Sequence, residues 1–587
     1  MQTWKGNKIT AETMAPNETM TDASATRSTK LFGLFVLFVA GMGGLLYGID
    51  IGIIDPALLY LGKTVSLTIG QTSLIVAAVL GGTMLSSLVA GVLADWLGRK
   101  PMMLLSGLMF VVSVAVIVLS HGFIALFLGR LLQGLSGGVI AVVVPLYLAE
   151  SLSASDRGKG AGIFQLMLTV GIVIASLSGV FYTNHAETAI AAAAGNQALV
   201  LAAQNHAWRG MFLSLIYPGL IFFAGTFFLT ESPRWLFRRG RIDDAYRALC
   251  RTSPESEATL QLHEMQDLAP TQKKGKSPFT LKPLLQRKYV IPFLIACIIL
   301  TCNQTTGINS ILSYLTIILR QAGMSARVAT QGALAVKILN CLMTVVAVAL
   351  IDRRGRKFLL VVGTTGVIIA LSCTAFVFRG FESKRVDIQS QLQTQVHDSA
   401  LTLQNCETAS PAANSGQPMA LSVLYSFGKG EKLETALCGD PSPILHIAAE
   451  GSEGAQTLTI KHAFLGPVPT GKTGWLVAGF LALFIASFAV GPGVVVWLAL
   501  SELMPTRIRS AGMGFALTLN QGTSTLIAGT FLPIVGNHGY GAIFIFWAAC
   551  TVVYFITAAF FLPETKGKTL EEIEAIFDQS SGKKLAP

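Results

Sequence analysis

Long apolar runs, each bounded by charged or turn-forming residues, recur along almost the whole chain. A membrane-spanning helix needs about 20 predominantly apolar residues, and twelve runs reach that length. We name them TM1 to TM12 in chain order, and they lie at 31–54, 70–93, 101–120, 122–148, 158–182, 210–230, 289–318, 327–351, 357–378, 474–500, 510–532 and 539–562. The pattern predicts an all-α polytopic membrane protein with 12 transmembrane helices.

The composition agrees with this interpretation. Of the 587 residues, 52% are apolar and 13% are charged, whereas an ordinary soluble domain carries about 25% charged residues. A soluble globular enzyme is therefore excluded. The segment Gly466–Thr473 spells a P-loop, but it contains two prolines and precedes a membrane span instead of a soluble helix. No cysteine or histidine spacing is typical of a zinc site, and we expect no cofactor.

The twelve runs fall into two groups of six. The predicted parts are a tail at 1–30, a six-helix bundle at 31–230, a helical linker at 231–288, a second six-helix bundle at 289–562 and a tail at 563–587. Lys and Arg concentrate in the tails and the linker, which by the positive-inside rule places both termini in the cytoplasm. The same distribution accounts for the net charge of +11 without a nucleic-acid partner.

A long polar segment at 379–473 interrupts the second bundle between TM9 and TM10, and we expect it to be external. It contains no N-x-[ST] sequon, which favours a bacterial inner membrane over a glycosylated eukaryotic surface. It holds Cys406 and Cys438, for which a disulfide is favoured in an oxidising compartment and two free thiols are the alternative. A lid, a partner surface and a tolerated insertion are the three roles left open.

Two short patterns occur once in each half of the chain. Asp95-Trp-Leu-Gly-Arg99-Lys follows TM2, and Asp352-Arg-Arg-Gly-Arg356-Lys follows TM8. A glutamate seven residues before an arginine follows both TM4 and TM10. Matching patterns in two halves indicate a duplicated bundle with the working site between the halves.

These residues and others like them carry a resemblance to a known family. Over nearly all of residues 31–575, the chain resembles the sugar porter family of the major facilitator superfamily. The matching motifs, besides Asp95 to Arg99, are Gly48-Ile-Asp50-Ile-Gly52, Gly129-Arg130-Leu-Leu-Gln-Gly134, Pro145-Leu-Tyr-Leu-Ala-Glu150, Glu231-Ser-Pro-Arg234, Asn303-Gln304-Thr-Thr-Gly307-Ile-Asn309 and Pro563-Glu-Thr-Lys-Gly567. The resemblance implies two six-helix bundles and hexose or pentose transport by alternating access, with many members running as proton symporters.

Ionisable residues inside apolar spans are costly, so they usually pair or line a cavity. Asp50 in TM1 and Arg130 in TM4 can form a charge-assisted pair that protonation of Asp50 would break. The resemblance supports proton coupling here, and a fixed salt bridge is the alternative. We expect Asp55 to be a solvated residue at the cavity mouth, and Lys337 in TM8 to pair or to extend its ammonium to the membrane surface.

Amide side chains in apolar spans suit a neutral sugar, because they donate and accept hydrogen bonds without a charge. By the resemblance, sugar-binding positions fall on Gln165, Gln304, Asn309 and Asn340. Asn303, Asn520 and Trp497 are further candidates. Hydrogen bonds between helices are the alternative role for any one amide.

The remaining charged motif residues are predicted to form a gating network on the cytoplasmic side, and ordinary positive-inside anchoring is the alternative. They are Asp95, Arg99, Glu150, Arg157, Glu231, Arg234, Asp352, Arg356, Glu502 and Arg509.

Together these features predict a monomeric proton:monosaccharide symporter, whose partners are the sugar, the proton and the lipid bilayer. A facilitative uniporter for a sugar or for a polyol such as inositol is the nearest alternative. A sensor that binds sugar without moving it is the third, and the short cytoplasmic ends count against it.

Overall fold

The computed structural model describes residues 21–152, 154–274, 287–397, 399–404, 419–428, 430–438, 445–447, 457–504, 509–564 and 572. Within these ranges, eleven helices are long and apolar enough to cross a membrane. The last of them is two helices joined at Gly539, whose φ of 81° is not helical. When these two helices are counted separately, the described residues contain twelve spans, the number that the apolar runs predict.

Five of the six spans of the first half are longer than their apolar runs, and TM3 has the same length as its run. TM1 is Thr21–Thr64, TM2 is Ile69–Leu97, TM3 is Arg99–Val118, TM4 is Phe123–Ser151, TM5 is Ala154–Ala192, and TM6 is Gln197–Leu213 followed by Ile216–Phe227. Residues 21–30, predicted as part of a tail, are helical because they contain no glycine or proline to end the helix. TM5 likewise continues to the turn at Gly195, whose φ is 85°.

Two spans of the second half are broken at glycines. TM7 is Arg287–Thr305 and Ile308–Gln321, TM8 is Ala326–Arg354, TM9 is Arg356–Glu382, TM10 is Gly471–Val490 and Pro492–Leu503, and TM11 and TM12 share Arg509–Ile556, followed by a π-helix at Thr557–Phe561. Gly307, at the break in TM7, has a φ of 83°, and a Cβ there would lie 2.3 Å from the ring of Trp547. Glycine is therefore required at this break.

The segment between TM6 and TM7 contains helices at Pro233–Arg238, Ile242–Thr252 and Glu255–Lys274. We call the side of the bundle that carries these helices the linker face. TM1, TM3, TM5, TM7, TM9 and TM11 begin there.

The long segment between TM9 and TM10 is a folded unit, which we call the sheet insertion. Its strands are β1 Val386–Asp387, β2 Leu401–Leu403, β3 Met419–Ser426, β4 Glu431–Leu437, β5 Leu445–Ile447 and β6 Thr459–Pro467. They form an antiparallel sheet of order β1-β6-β3-β4 and a separate β2-β5 pair. Leu421, Val423 and Leu465 are among the buried side chains of its own core. We call the side of the bundle that carries it the sheet face.

Cys438 in the sheet insertion is disulfide-bonded, whereas Cys250, Cys297, Cys302, Cys341, Cys373 and Cys550 carry free thiols. Its predicted partner, Cys406, lies outside the described residues, so this pairing stays a prediction.

The two halves pack together through TM1 against TM7, TM2 against TM11, and TM5 against TM8. At the sheet face, the backbone N–H of Leu532 in TM11 donates to Ser73 Oγ in TM2 at 3.2 Å. The sheet insertion also reaches the first half, because a Cβ at Gly430 would lie 2.7 Å from the methyl group of Thr68, the residue that caps TM2. The sheet face is therefore closed in this structure.

Candidate functional site

The structure brings Asp50 of TM1 and Arg130 of TM4 together inside the first half. Arg130 Nη1 donates to Asp50 Oδ1 at 3.0 Å and to Gln133 Oε1 at 2.7 Å. Asp50 and Arg130 are each only 1% exposed. The second carboxylate oxygen, Asp50 Oδ2, has no hydrogen-bond partner among the described residues. The pair is thus a buried ion pair in which one carboxylate oxygen remains available.

Glycines set the position of Asp50. A Cβ at Gly48 would lie 1.8 Å from the carbonyl oxygen of Leu168 in TM5, so the backbones of TM1 and TM5 are in direct contact there. Gly137 of TM4 leaves space beside Tyr47 and Asp50, whose Oδ2 would be 3.6 Å from an added Cβ. Small residues of this kind allow close helix packing in membranes, and they hold the carboxylate beside TM4.

A connected row of amides lies in the second half. Gln304 Nε2 donates to Asn520 Oδ1 at 3.1 Å, and Asn309 Nδ2 donates to Gln304 Oε1 at 3.0 Å and to Ser524 Oγ at 2.7 Å. Gln304 and Asn309 meet because the helix is interrupted between them at Gly307. The row therefore links both parts of TM7 to TM11.

Asn303 and Asn520 make hydrogen bonds to helix carbonyl groups. Asn303 Nδ2 donates to Pro492 O in TM10 at 3.2 Å, and Asn520 Nδ2 donates to Leu300 O in TM7 at 2.9 Å. Both amides thus join helices of the second half, which is the alternative role considered for them above.

Gln165 of TM5 and Asn340 of TM8 differ from these amides, because neither side chain makes a hydrogen bond within the described residues. They lie near each other across the two halves, since Thr169 Oγ1, one turn after Gln165, is 3.4 Å from Cys341 Sγ. The side chain of Trp497 lies outside the described part of the chain.

The structure contains a second buried ion pair, between Asp55 and Lys337, which the sequence predicted only in part. Asp55 was expected to be solvated, and this is wrong: its carboxylate is 1% exposed and lies 2.7 Å from the ammonium of Lys337, which is 0% exposed. Lys337 pairs, which was one of its two expected behaviours. Two isolated charges of opposite sign, one in TM1 and one in TM8, were the signal in the sequence that could have joined them.

Several residues that were predicted to form a gating network contact one another at the linker face of the first half. Arg99 lies 2.8 Å from a carboxylate oxygen of Asp95 and 2.8 Å from one of Glu150. Glu231 accepts from the backbone N–H groups of Arg99 and Lys100 at 2.9 and 3.2 Å. Burial raises the pKa of the Glu231 carboxyl, while these N–H donors act to lower it. All of these contacts lie within the first half or between it and the linker.

The second half carries a contact that matches the one made by Glu231, and the sequence analysis did not predict it. Glu564 accepts from the backbone N–H groups of Arg356 and Lys357 at 3.0 and 3.1 Å, so it caps TM9 as Glu231 caps TM3. Gly98 and Gly355 precede these two helices with φ of 108° and 90°. The two glutamates stand in motifs with different letters, which hid their equivalence.

The other network residues are placed only in part. Arg234 lies in the short helix Pro233–Arg238. The side chains of Arg157, Asp352, Glu502 and Arg509 lie outside the described part of the chain, so for these residues the gating network stays a prediction.

Comparison with known proteins gives a consistent picture. A family model described as "Sugar (and other) transporter" matches residues 36–391 and 453–577, and the unmatched stretch falls inside the sheet insertion. The glucose transporter GlcP of Staphylococcus epidermidis is 28% identical over 93% of this chain and 98% of its own. The galactose-proton symporter of Escherichia coli K12 is 26% identical, covering 93% and 95%. The probable inositol transporter 2 of Arabidopsis thaliana is 28% identical, covering 93% and 92%.

Solved structures share the fold. The xylose transporter XylE of E. coli, in an inward-open conformation, matches with a TM-score of 0.64 at 20% identity, over 92% of this chain and 99% of its own. The proton:xylose symporter XylE bound to 6-bromo-6-deoxy-D-glucose matches with a TM-score of 0.60 at 20% identity, over 94% and 100%. The twelve spans are therefore arranged in the major facilitator fold of two six-helix bundles.

Proposed function

The chain belongs to the sugar porter family of the major facilitator superfamily, and we propose that it takes up a monosaccharide together with a proton by alternating access. Because the family consists of transporters, the chain is a multi-pass membrane transporter and not an enzyme. Hexoses and pentoses are the proposed substrates. The relatives named as glucose and galactose transporters support the choice.

The buried Asp50–Arg130 pair is the observation that carries the proposal of proton coupling. Asp50 Oδ2 has no partner among the described residues, so a proton can be accepted there while Oδ1 still faces Arg130. Neutralising the carboxylate removes the charge that holds the guanidinium, which frees Arg130 to move. A membrane potential supplies about 2.3 kcal/mol per 100 mV for each inward proton.

The proposed sugar site consists of amides from both halves. Gln165 and Asn340 keep their hydrogen-bonding groups available, so sugar hydroxyls can bind them without displacing a protein contact. Gln304 and Asn309 are bonded to each other and can exchange that bond for one to the sugar. A fully unpaired buried amide is costly, which favours a polar ligand between these helices.

We assign the linker face to the cytoplasm. The linker and both tails carry 20 of the 43 Lys and Arg residues, which the positive-inside rule places inside. The sheet insertion then lies outside, where a disulfide at Cys438 is stable. We propose the inner membrane of a bacterium as the location, and the linker-face charges as the gating network.

The proposal is tested by sugar-evoked proton flux. Proteoliposomes holding purified protein, in a medium that contains a pH dye, are given glucose, galactose, xylose or myo-inositol without a membrane potential. Alkalinisation outside with one of them, absent in protein-free liposomes, supports symport and identifies the substrate. Sugar entry without a pH change would contradict proton coupling and leave a uniporter, in which Asp50 and Arg130 form a fixed pair.

A further inference from the structure

Asp55 of TM1 is held by an unusually complete set of donors. Oδ1 accepts from the backbone N–H of Thr316 at 2.7 Å, and Oδ2 accepts from the hydroxyl of Thr316 at 2.9 Å and from the ammonium of Lys337 at 2.7 Å. The Lys337 ammonium also lies 3.5 Å from the carbonyl oxygen of Gly52 in TM1. All of these groups are buried, so the carboxylate is fully satisfied away from water.

Every one of these donors comes from the opposite half of the molecule. Asp55 lies in the first half, whereas Thr316 of TM7 and Lys337 of TM8 lie in the second. The Asp50–Arg130 pair differs in this respect, because TM1 and TM4 belong to the same half. Movement of one half against the other can leave Asp50 and Arg130 together, but it separates Asp55 from its donors.

The pair also lies nearer to the sheet face than Asp50 does, because Asp55 is five residues closer to the end of TM1. Asp55 is nine residues before the end of TM1 at the sheet face, and Lys337 is eleven residues after the start of TM8 at the same face. At a rise of 1.5 Å per residue, the two residues lie about 14 to 17 Å below that face. This is the side on which the two halves are closed.

We infer that Asp55, Lys337 and Thr316 form a latch that holds the sheet face closed and opens once in every transport cycle. The inference rests on the proposed alternating access. When the sheet face opens, water reaches both charges and stabilises each of them separately. When it closes, the pair re-forms in a dry environment, where removing either partner leaves an uncompensated charge. The latch therefore sets the balance between closed and open sheet faces.

The test measures opening directly and needs no substrate. Spin labels are attached to cysteines placed at Gly62, near the end of TM1, and at Gly471, at the start of TM10, because an added Cβ has nothing within 4 Å at either position. The six free cysteines are replaced, and full-length protein in lipid nanodiscs is studied by pulsed EPR. We expect Asp55→Asn and Lys337→Met each to raise, at least tenfold, the ratio of molecules with a long distance between the two labels to molecules with a short one.

A double replacement separates a latch from two independent effects. The double variant with Asp55→Asn and Lys337→Met carries neither charge, so no buried charge is left without a partner. Its shift towards long distances should therefore be smaller than the sum of the shifts in the two single variants. Thr316→Val keeps both charges and one N–H donor, so it should shift the distances in the same direction by less. It serves as the test if a charge variant does not fold.

Tyr60→Phe is the matched control. It removes a hydrogen bond of 2.8 Å to Glu187 that joins TM1 and TM5 within the first half, and it should leave the distances unchanged. Unchanged label distances in Asp55→Asn, Lys337→Met and Thr316→Val would overturn the latch. A shift in the double variant equal to the sum of the two single-variant shifts would overturn it as well. Failure of sugar-evoked proton flux with these distance shifts intact would instead reject symport and leave the latch.

Discussion

At the scale of single residues, the two aspartates of TM1 show that burial alone does not define a role. Asp50 and Asp55 are equally inaccessible to water. Asp50 bonds within its own half through one oxygen, whereas Asp55 uses both oxygens across the interface. The first arrangement leaves an oxygen for a proton, and the second leaves none. The hydrogen-bond partners of the two carboxylates, and not their burial, therefore distinguish the proposed coupling site from the proposed latch.

Replacing Asp50 by Asn should abolish uphill sugar accumulation and preserve counterflow exchange, because an amide cannot gain or lose a proton but keeps the shape of the side chain. Accumulation and exchange of radiolabelled sugar are measured in the same vesicles. Glu187→Gln, which neutralises a carboxylate of TM5 outside the proposed site, is the control and should accumulate sugar normally. Accumulation retained by Asp50→Asn would refute its coupling role.

The amides should separate into two groups on substitution. Asn340→Ala removes no protein hydrogen bond, so we expect KM for sugar to rise about tenfold with little change in thermal stability. Asn303→Ala removes a bond between TM7 and TM10 and should destabilise the fold by about 0.6 kcal/mol, the average for such bonds in membranes. Transport kinetics and thermal unfolding of each variant check this. Equal effects of both variants on KM would remove the distinction.

At the scale of the elements, the breaks in TM7 and TM10 matter most. Gly307 combines a left-handed backbone with contact against Trp547, so Gly307→Ala should lower stability by more than the roughly 1 kcal/mol of conformational strain alone. Thermal unfolding in detergent measures the loss. Gly62→Ala, at a site with open space, is the control. A Gly307→Ala variant as stable as this control would show that the break tolerates a side chain.

The two glutamate caps provide a test of the internal repeat. Glu231→Ala and Glu564→Ala each free two backbone N–H groups at the start of TM3 or TM9, and each should cost about 1–3 kcal/mol of stability. Similar losses in the unfolding temperature are expected because the contacts are alike in both halves. A loss in one variant alone would mean that the halves are held differently.

The elements also show how far sequence reasoning reaches. Apolar runs locate the twelve spans because a span must be apolar along its whole length, yet their ends are missed where polar residues such as those at 21–30 continue a helix. The Asp55–Lys337 pair joins positions 282 residues apart, and no local pattern specifies which distant charge is the partner. Three of the strands of the sheet insertion have only two or three residues, and polar stretches separate the strands, so the sequence suggested only a loop.

At the scale of the whole molecule, the contacts are distributed unequally between the faces. At the sheet face the halves meet through the latch, through Ser73 and Leu532, and through Arg327 of TM8, which donates to Thr188 of TM5 at 3.2 Å. At the linker face the ion pairs that the described residues show lie within the first half and the linker. Such a distribution suits a transporter closed on one side of a central site.

The sheet insertion spans this closed face in an informative way. Both of its ends continue into helices of the second half, TM9 and TM10, while Gly430 touches Thr68 of the first half. Opening of the face must therefore break or slide the Gly430–Thr68 contact on the exterior of the molecule. An antibody fragment that binds across this contact would act as a clamp at the sheet face and hold the transporter in one conformation.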